Sequence, residues 1–254
     1  ALALWELAER AGIPKGVLNV VVGSDSQGIG EVLTQHKDVA KFTFTGSTAV
    51  GKMLMAQCAS TVKKVSLELG GNAPFIVFDD ADIEDAIAHC VATKFRNCGQ
   101  TCVCTNRIYV QDSVVSDFTE KLKSAISNMK VADGFEAGVD LGPMINSAAV
   151  EKMDSLIEDA KAKGAKVILG GARHELKGFF FQPTLLTDIS DDMRIVQDEI
   201  FGPILPIKQY KDIEETLGYV NSKDRPLGLY YFGQDSTEER EVLTRTTSGG
   251  VTVN

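Results

Sequence analysis

Apolar positions over Ala1–Ala11 recur at helical spacing and stop at Gly12 and Pro14, which predicts a helix with an ordinary exit. Val17–Val22 (VLNVVV) is a short run rich in β-branched residues, closed by Gly23, and predicts a strand. Asp25 is placed to cap a helix running towards His36. Lys41–Thr45 (KFTFT) alternates as a strand, and Gly46-Ser47-Thr48 then opens a helix through about Cys58. Val65–Leu69 and Pro74–Phe78 predict two further strands. Asp82–Arg96 predicts an amphipathic helix with acids in its first turns, where the helix dipole favours them.

The same alternation continues to the end of the chain. Strands are predicted at Arg107–Val110, Lys166–Leu169, Phe179–Leu186, Leu227–Phe232 and Gly250–Val253. Helices are predicted at Val114–Met129, Ala148–Lys163, Ile213–Val220 and Thr237–Thr247. Strand–helix alternation at this rhythm predicts an α/β chain with largely parallel sheets flanked by helices. Internal repeats and low-complexity linkers are absent. The LELGGN stretch interrupts two strand patterns, so a domain change is expected near Glu68–Gly71, dividing residues 1–68 from 69–254.

Charge narrows the partners. Against 35 Asp+Glu stand 26 Lys+Arg, a net charge of −9, which argues against nucleic acid and anionic membranes, since both bind through clustered basic charge. No apolar run approaches the roughly 20 residues of a spanning helix. The five cysteines are odd in number and no signal peptide precedes them, which reads as reduced thiols in a cytoplasmic compartment. The three histidines, His36, His89 and His174, are scattered without metal-ligand spacing. A zinc set of Cys98, Cys102, Cys104 and His89 lacks any C-x2-C pair, so no metal is expected.

Two glycine loops invite a nucleotide. Gly46–Lys52 follows a strand and opens a helix, presenting backbone N–H groups suited to phosphate. Its G-x4-G-K spacing matches most of a P-loop, and FIVFDD (Phe75–Asp80) imitates the strand whose Asp holds magnesium. A P-loop NTPase fails at Met53, where Ser or Thr should bind so hard a cation. Gly23, Gly28 and Gly30 form G-x4-G-x-G, which departs from the dinucleotide fingerprint but suits a nucleotide loop between adjacent strand ends.

The segment FRNCGQTCVC (Phe95–Cys104) ends a helix, turns at a glycine and brings a thiol in before a strand. A free thiol has a pKa near ~8.5, so only about 3% is thiolate at pH 7 unless its surroundings help. Backbone N–H groups, a cation or a positioned base supply that help. Glu68, at the edge of Leu69-Gly70-Gly71, is a candidate base for water or for the thiol.

LELGGN (Leu67–Asn72), GQTC (Gly99–Cys102), FTGS (Phe44–Ser47) and EIFGP (Glu199–Pro203) together resemble the aldehyde dehydrogenase superfamily. The spacing agrees, with 34 residues from Glu68 to Cys102 and 97 from Cys102 to Glu199, and the likeness runs along essentially the whole chain. Within the superfamily, KKVSLELGGNAPFIVFDDAD, KFRNCGQTCVC and FFFQPT are most similar to succinate-semialdehyde dehydrogenases. The C-terminal DRPLGLYYFGQDSTEEREVLTRTTSGGVTVN is more similar to coniferyl aldehyde dehydrogenases.

The resemblance implies a partial Rossmann-type cofactor domain over 1–68 and an α/β catalytic domain over 69–254, acting on an aldehyde with NAD or NADP. It implies that Cys102 attacks the aldehyde carbon, with its own N–H holding the oxyanion, and that Glu68 activates the water that releases the thioester. Glu199 would hold the nicotinamide-side ribose, with Phe201 near the ring, and Gly46 and Ser47 would sit by the pyrophosphate. Gly23, Thr45 and Leu69 complete the cofactor contacts. Arg96 would meet a distal carboxylate on the substrate, for which its bidentate fork is suited. Cys104 matches a second thiol that closes a redox disulfide onto the first in some of these enzymes. Cys58, Cys90 and Cys98 read as packing residues.

Superfamily members run to nearly twice this length and form homo-oligomers. The start without Met and the stop at Asn254 therefore read as cuts. Members also carry an upstream oxyanion Asn, and losing such a donor costs roughly 10²–10³ in rate. The chain by itself is accordingly expected to bind cofactor weakly and turn over slowly, at the limit keeping only a reactive thiol.

Overall fold

The computed structural model describes residues 1–254, which form two compact units, Ala1–Glu68 and Leu69–Asn254. In the first, α1 (Leu2–Arg10) and α2 (Ser26–Gln35) precede β1 (Lys41–Gly46), α3 (Thr48–Ala59) and β2 (Lys64–Leu69), whose last residue opens the second unit. Local capping sets these boundaries. The Asp25 carboxylate accepts the Gly28 N–H at 2.8 Å to start α2, and the Ser47 hydroxyl accepts the Val50 N–H to start α3. β1 and β2 form a two-stranded sheet. Its small core is Phe42, Leu54 and Cys58, with Phe44 and Val65 packed against them.

Residues 17–22 form no strand, contrary to their composition; Val17, Val21 and Val22 stand exposed. A strand exists only through its ladder, and the sheet of this unit pairs β1 with β2 alone.

The second unit is built on one seven-stranded sheet. Its elements are β3 (Ala73–Val77), α4 (Ile83–Phe95), β4 (Thr105–Gln111), α5 (Val115–Ser127), α6 (Ser147–Ala162), β5 (Lys166–Leu169), β6 (Thr184–Thr187), α7 (Arg194–Gln197), β7 (Ile204–Tyr210), α8 (Ile213–Asn221), β8 (Gly228–Phe232), α9 (Ser236–Arg245) and β9 (Gly250–Val253). The strand order is β5-β6-β7-β4-β3-β8-β9. Every pairing is parallel except β5 with β6.

β3 shows why FIVF lacks hydrophobic alternation. Phe75 and Val77 join the core cluster shared with α4, α5 and α6, whereas Ile76 and Phe78 join the cluster that includes Leu217 of α8 and Val242 of α9. Both faces are covered, as expected of a central parallel strand.

Two elements escaped the sequence pattern. β7 lies between β6 and β4 near the middle of the sheet, yet its segment ILPIKQY carries Pro206 directly after Pro203 and Ile204-Leu205. Proline ordinarily marks a strand's edge or end because it cannot donate to the ladder. Here Pro206 sits within the ladder opposite Leu186 of β6, flanked by buried residues. The short α7 was also missed. The expected strand over Phe179–Leu186 contracts to β6, with only an isolated bridge between Phe181 and Arg173 before it. No helix is long and apolar enough to cross a membrane.

Candidate active site

α4 starts where the Asp82 carboxylate accepts the N–H groups of Glu84 and Asp85, both at 3.1 Å, and it ends at Phe95. Arg96 then turns to extended backbone, followed by three residues in the left-handed region: Asn97 (φ 52°), Cys98 (φ 58°) and Gly99 (φ 71°). The two non-glycine residues cost about 1–2 kcal/mol each, so surrounding bonds must hold the turn. The Asn97 side chain donates to the Gln100 carbonyl at 3.1 Å, and Gln100 Nε2 donates back to the Asn97 carbonyl at 3.0 Å. Gln100 Oε1 accepts the Ile145 N–H at 2.9 Å, tying the turn to the segment before α6.

Cys102 leaves this turn exposed, the only exposed thiol of the chain. Arg96 is exposed on the same turn, and its guanidinium forms no ion pair or hydrogen bond. Cys104 is buried; its thiol donates to the Gly99 carbonyl at 3.3 Å. Cys98 is also buried, packed 3.6 Å from the Met144 sulfur, and burial pushes its thiol up to about 12. Burial raises Cys90 as well, and Cys58 is a core residue of the first unit. No group of His, Cys, Asp and Glu side chains gathers as a metal site.

On the loop between α7 and β7, half-buried Glu199 accepts the Gly71 N–H on Oε1 at 3.2 Å. Its other oxygen lies against Gly70, where a Cβ would strike the carboxylate. Lys152 of α6 donates to the Glu199 backbone carbonyl at 2.6 Å. Burial raises the Glu199 pKa, opposed by the Gly71 N–H and by the charges of Lys152 and Lys94. Phe201, at φ 55°, lines an open groove with Asn97, Gln100, Met144 and Ile145. A carboxylate with one oxygen committed and the other without a donor has acceptor capacity for a vicinal diol. That acceptor fits the hydroxyls of a dinucleotide's ribose.

The remaining predicted cofactor residues belong to the first unit or its junction. Thr45 and Gly46 end β1, and Ser47 caps α3, so the first amides of that helix are presented at its N-terminus. Gly23 lies in the irregular stretch before α2. Glu68 is exposed and Leu69 half-buried at the end of β2. The strands proposed for a P-loop and for its magnesium Asp, β1 and β3, lie in different sheets, and Met53 is half exposed.

Sequence reasoning overlooked a buried network beneath the cysteine turn. Lys94, in the last turn of α4, is fully buried with no carboxylate partner. Its ammonium donates to Asn106 Oδ1 at 3.4 Å and lies 3.9 Å from the Cys104 sulfur. Asn106 in turn donates to Asn72 Oδ1 at 2.6 Å and to the Gly71 carbonyl at 3.3 Å, and Asn72 donates to the Gln197 carbonyl at 2.9 Å. The chain of bonds runs from α4 to the end of α7, where the Glu199 loop begins. The signal available in the sequence was one lysine among apolar residues on the inward face of a helix.

Burial holds the Lys94 pKa below its ordinary value, against the opposing influence of Cys104, Cys90 and Cys98. A lysine lowered on folding binds fewer protons native than unfolded, so its penalty is full at low pH and fades as pH rises towards the unfolded value. Lys94→Met is therefore expected to raise Tm at neutral pH by ~2–4 °C. That gap should narrow in melts at increasingly alkaline pH; a gap that is constant or widens would contradict the buried-charge account.

Comparison with known proteins agrees along the whole chain. Residues 1–254 match the aldehyde dehydrogenase family. The 3-sulfolactaldehyde dehydrogenase of Pseudomonas putida is 52% identical over 254 residues, 100% of this chain and 52% of that protein. The succinate-semialdehyde dehydrogenase (NADP(+)) GabD of Escherichia coli is 51% identical, covering 92% of this chain and 48% of that protein. The crystal structure of a succinate-semialdehyde dehydrogenase from Burkholderia pseudomallei superposes with a TM-score of 0.97 at 50% identity, over 100% of this chain and 52% of that one. The fold is that of the aldehyde dehydrogenases, and the chain belongs to the aldehyde dehydrogenase family. It spans about half the length of the relatives it matches.

Proposed function

We propose that the protein carrying this chain oxidises an aldehyde with an acidic far end, succinic semialdehyde foremost, to the carboxylic acid with NAD or NADP. The observation that carries the reading is one exposed thiol, Cys102, on a bonded left-handed turn beside an arginine without an acidic partner. Residues 1–68 would be the C-terminal part of the NAD(P)-binding domain and residues 69–254 the catalytic domain.

Cys102 thiolate adds to the carbonyl carbon, and its backbone N–H stabilises the oxyanion of the thiohemiacetal. A nicotinamide dinucleotide, when bound, supplies the hydride acceptor that leaves a thioester on Cys102. Glu68 takes a proton from water, whose hydroxide adds to the thioester carbon; collapse releases the acid and returns the thiolate. Glu199 would accept the ribose hydroxyls, with Phe201 flanking the ring and Leu69 nearby. The amides at Gly46 and Ser47 would hold the pyrophosphate, with Thr45 and Gly23 beside them. Cys104 would be the partner thiol of Cys102 under oxidation, which requires its sulfur to leave the Gly99 carbonyl.

Arg96 would clamp the acid group. The two relatives named above support this, since sulfolactaldehyde and succinate semialdehyde both carry an anionic group away from the aldehyde. Coupled NAD(P)H formation from succinic semialdehyde and from butanal tests the reading. Arg96→Ala is expected to lower kcat/KM for the acidic aldehyde ~10–100-fold and to leave butanal nearly unchanged. Equal losses on both substrates would remove Arg96 from recognition, and thiol labelling at Cys102 without turnover would leave only a reactive thiol.

A further inference from the structure

The nucleophile turn is tied on its leading side by Asn97 and Gln100, but its trailing side, Cys102–Cys104, has fewer anchors. The Cys104 N–H donates to the Thr101 carbonyl at 3.1 Å, which closes the turn on itself. Cys104 is held through its side chain by the Gly99 carbonyl and by Lys94, and the backbone of Val103 is held from β8, where the Tyr230 hydroxyl donates to the Val103 carbonyl at 2.6 Å. A phenol donates one hydrogen, and this one is spent on backbone.

The ring itself has little freedom. Tyr230 is 8% exposed and lies 5.8 Å from the Phe75 ring, centroid to centroid, across the β3–β8 pair. β8 pairs with β3 through Tyr230 and Phe75, so the hydroxyl is held by a rigid element. Tyr230 also lies within electrostatic reach of Arg96 and Cys102, and burial keeps its phenol protonated across the working range.

We propose that Tyr230 is a positioning residue for the nucleophile, its hydroxyl clamping the Val103 carbonyl so that the turn presents Cys102 and its N–H in the reactive orientation. The inference rests on the reading of Cys102 as the nucleophile. Fixing the peptide after Val103 limits rotation about the two residues on either side of it. Without the clamp, the amides that favour the thiolate and would hold an oxyanion no longer converge on one point.

Tyr230→Phe removes the hydroxyl and keeps the ring packed against Phe75. The rate of iodoacetamide alkylation at Cys102, followed by peptide mass at neutral pH, is expected to fall about 2–10-fold. Amide exchange over residues 100–104 should quicken by a similar factor while β3 and β8 keep theirs. In turnover of the protein carrying this chain, kcat should fall with KM for the aldehyde little changed, a split that general loosening would not produce. Unchanged alkylation in Tyr230→Phe, or loss of protection throughout β3 and β8, would overturn the proposal. If instead the unsubstituted protein alkylates at a cysteine other than 102, the reading of Cys102 itself fails, and that result is separate from the clamp.

Discussion

The native chain should take up one equivalent of a thiol reagent rapidly, the Cys102→Ala variant none, and the unfolded chain all five. Composition would put five equivalent thiols on the chain; packing divides them. Cys58, Cys90, Cys98 and Cys104 are each 3% exposed or less. Burial also raises the pKa of Cys90 and Cys98, so both steric access and thiolate fraction oppose their reaction. Cys102 alone is exposed to the reagent. In the protein carrying this chain, Cys102→Ala should lower kcat by more than ~10³, because the covalent route is lost outright and only binding and electrostatic help remain. Titration with a chromogenic disulfide under native and denaturing conditions reads the counts. A native uptake of two equivalents, or labelling at Cys104 in Cys102→Ala, would show that the turn opens and that the buried thiols are not inert.

Gly99→Ala is expected to cost about 2–4 kcal/mol of stability, roughly 5–15 °C of Tm. Two costs combine. Gly99 has φ 71°, where a side chain is strained, and a Cβ there would strike the carbonyl of Gly202. Neither cost can be relieved by a side-chain rotation, because one lies in the backbone dihedral and the other is against a backbone carbonyl. The close approach joins the cysteine turn to the Glu199–Gly202 loop, so relaxation would move the proposed nucleophile or the proposed ribose carboxylate. Cys102 alkylation should therefore change together with stability. A melt within ~1 °C of the native one, with unchanged alkylation, would show that the turn is not held as described.

Much of the local architecture was legible because it rests on local chemistry. Asp25, Ser47 and Asp82 were expected at helix starts, and each accepts an N–H of its own first turn. The parallel sheet followed from the alternation of elements. Two failures have one cause. VLNVVV looks like a strand and is none, while ILPIKQY looks broken by proline and lies near the centre of the sheet. Strand formation depends on having a neighbour in register, which no window of residue types encodes.

At the site, ordered motifs singled out Cys102, Glu199 and Arg96 without coordinates. They did not reveal the buried Lys94–Asn106 pair, the Gln100 bond to Ile145 or the Tyr230 bond to Val103, which tie the turn to other segments of the chain. Residue order was enough for the family, the candidate nucleophile and the places where helices begin, since each follows from identity and short-range spacing. Only the packed fold decided which of five thiols meets solvent, which lysine is buried without an ion pair, and which tyrosine grips the cysteine turn. Burial and long-range hydrogen bonding are properties of a residue's neighbours, and the neighbours are chosen by the fold.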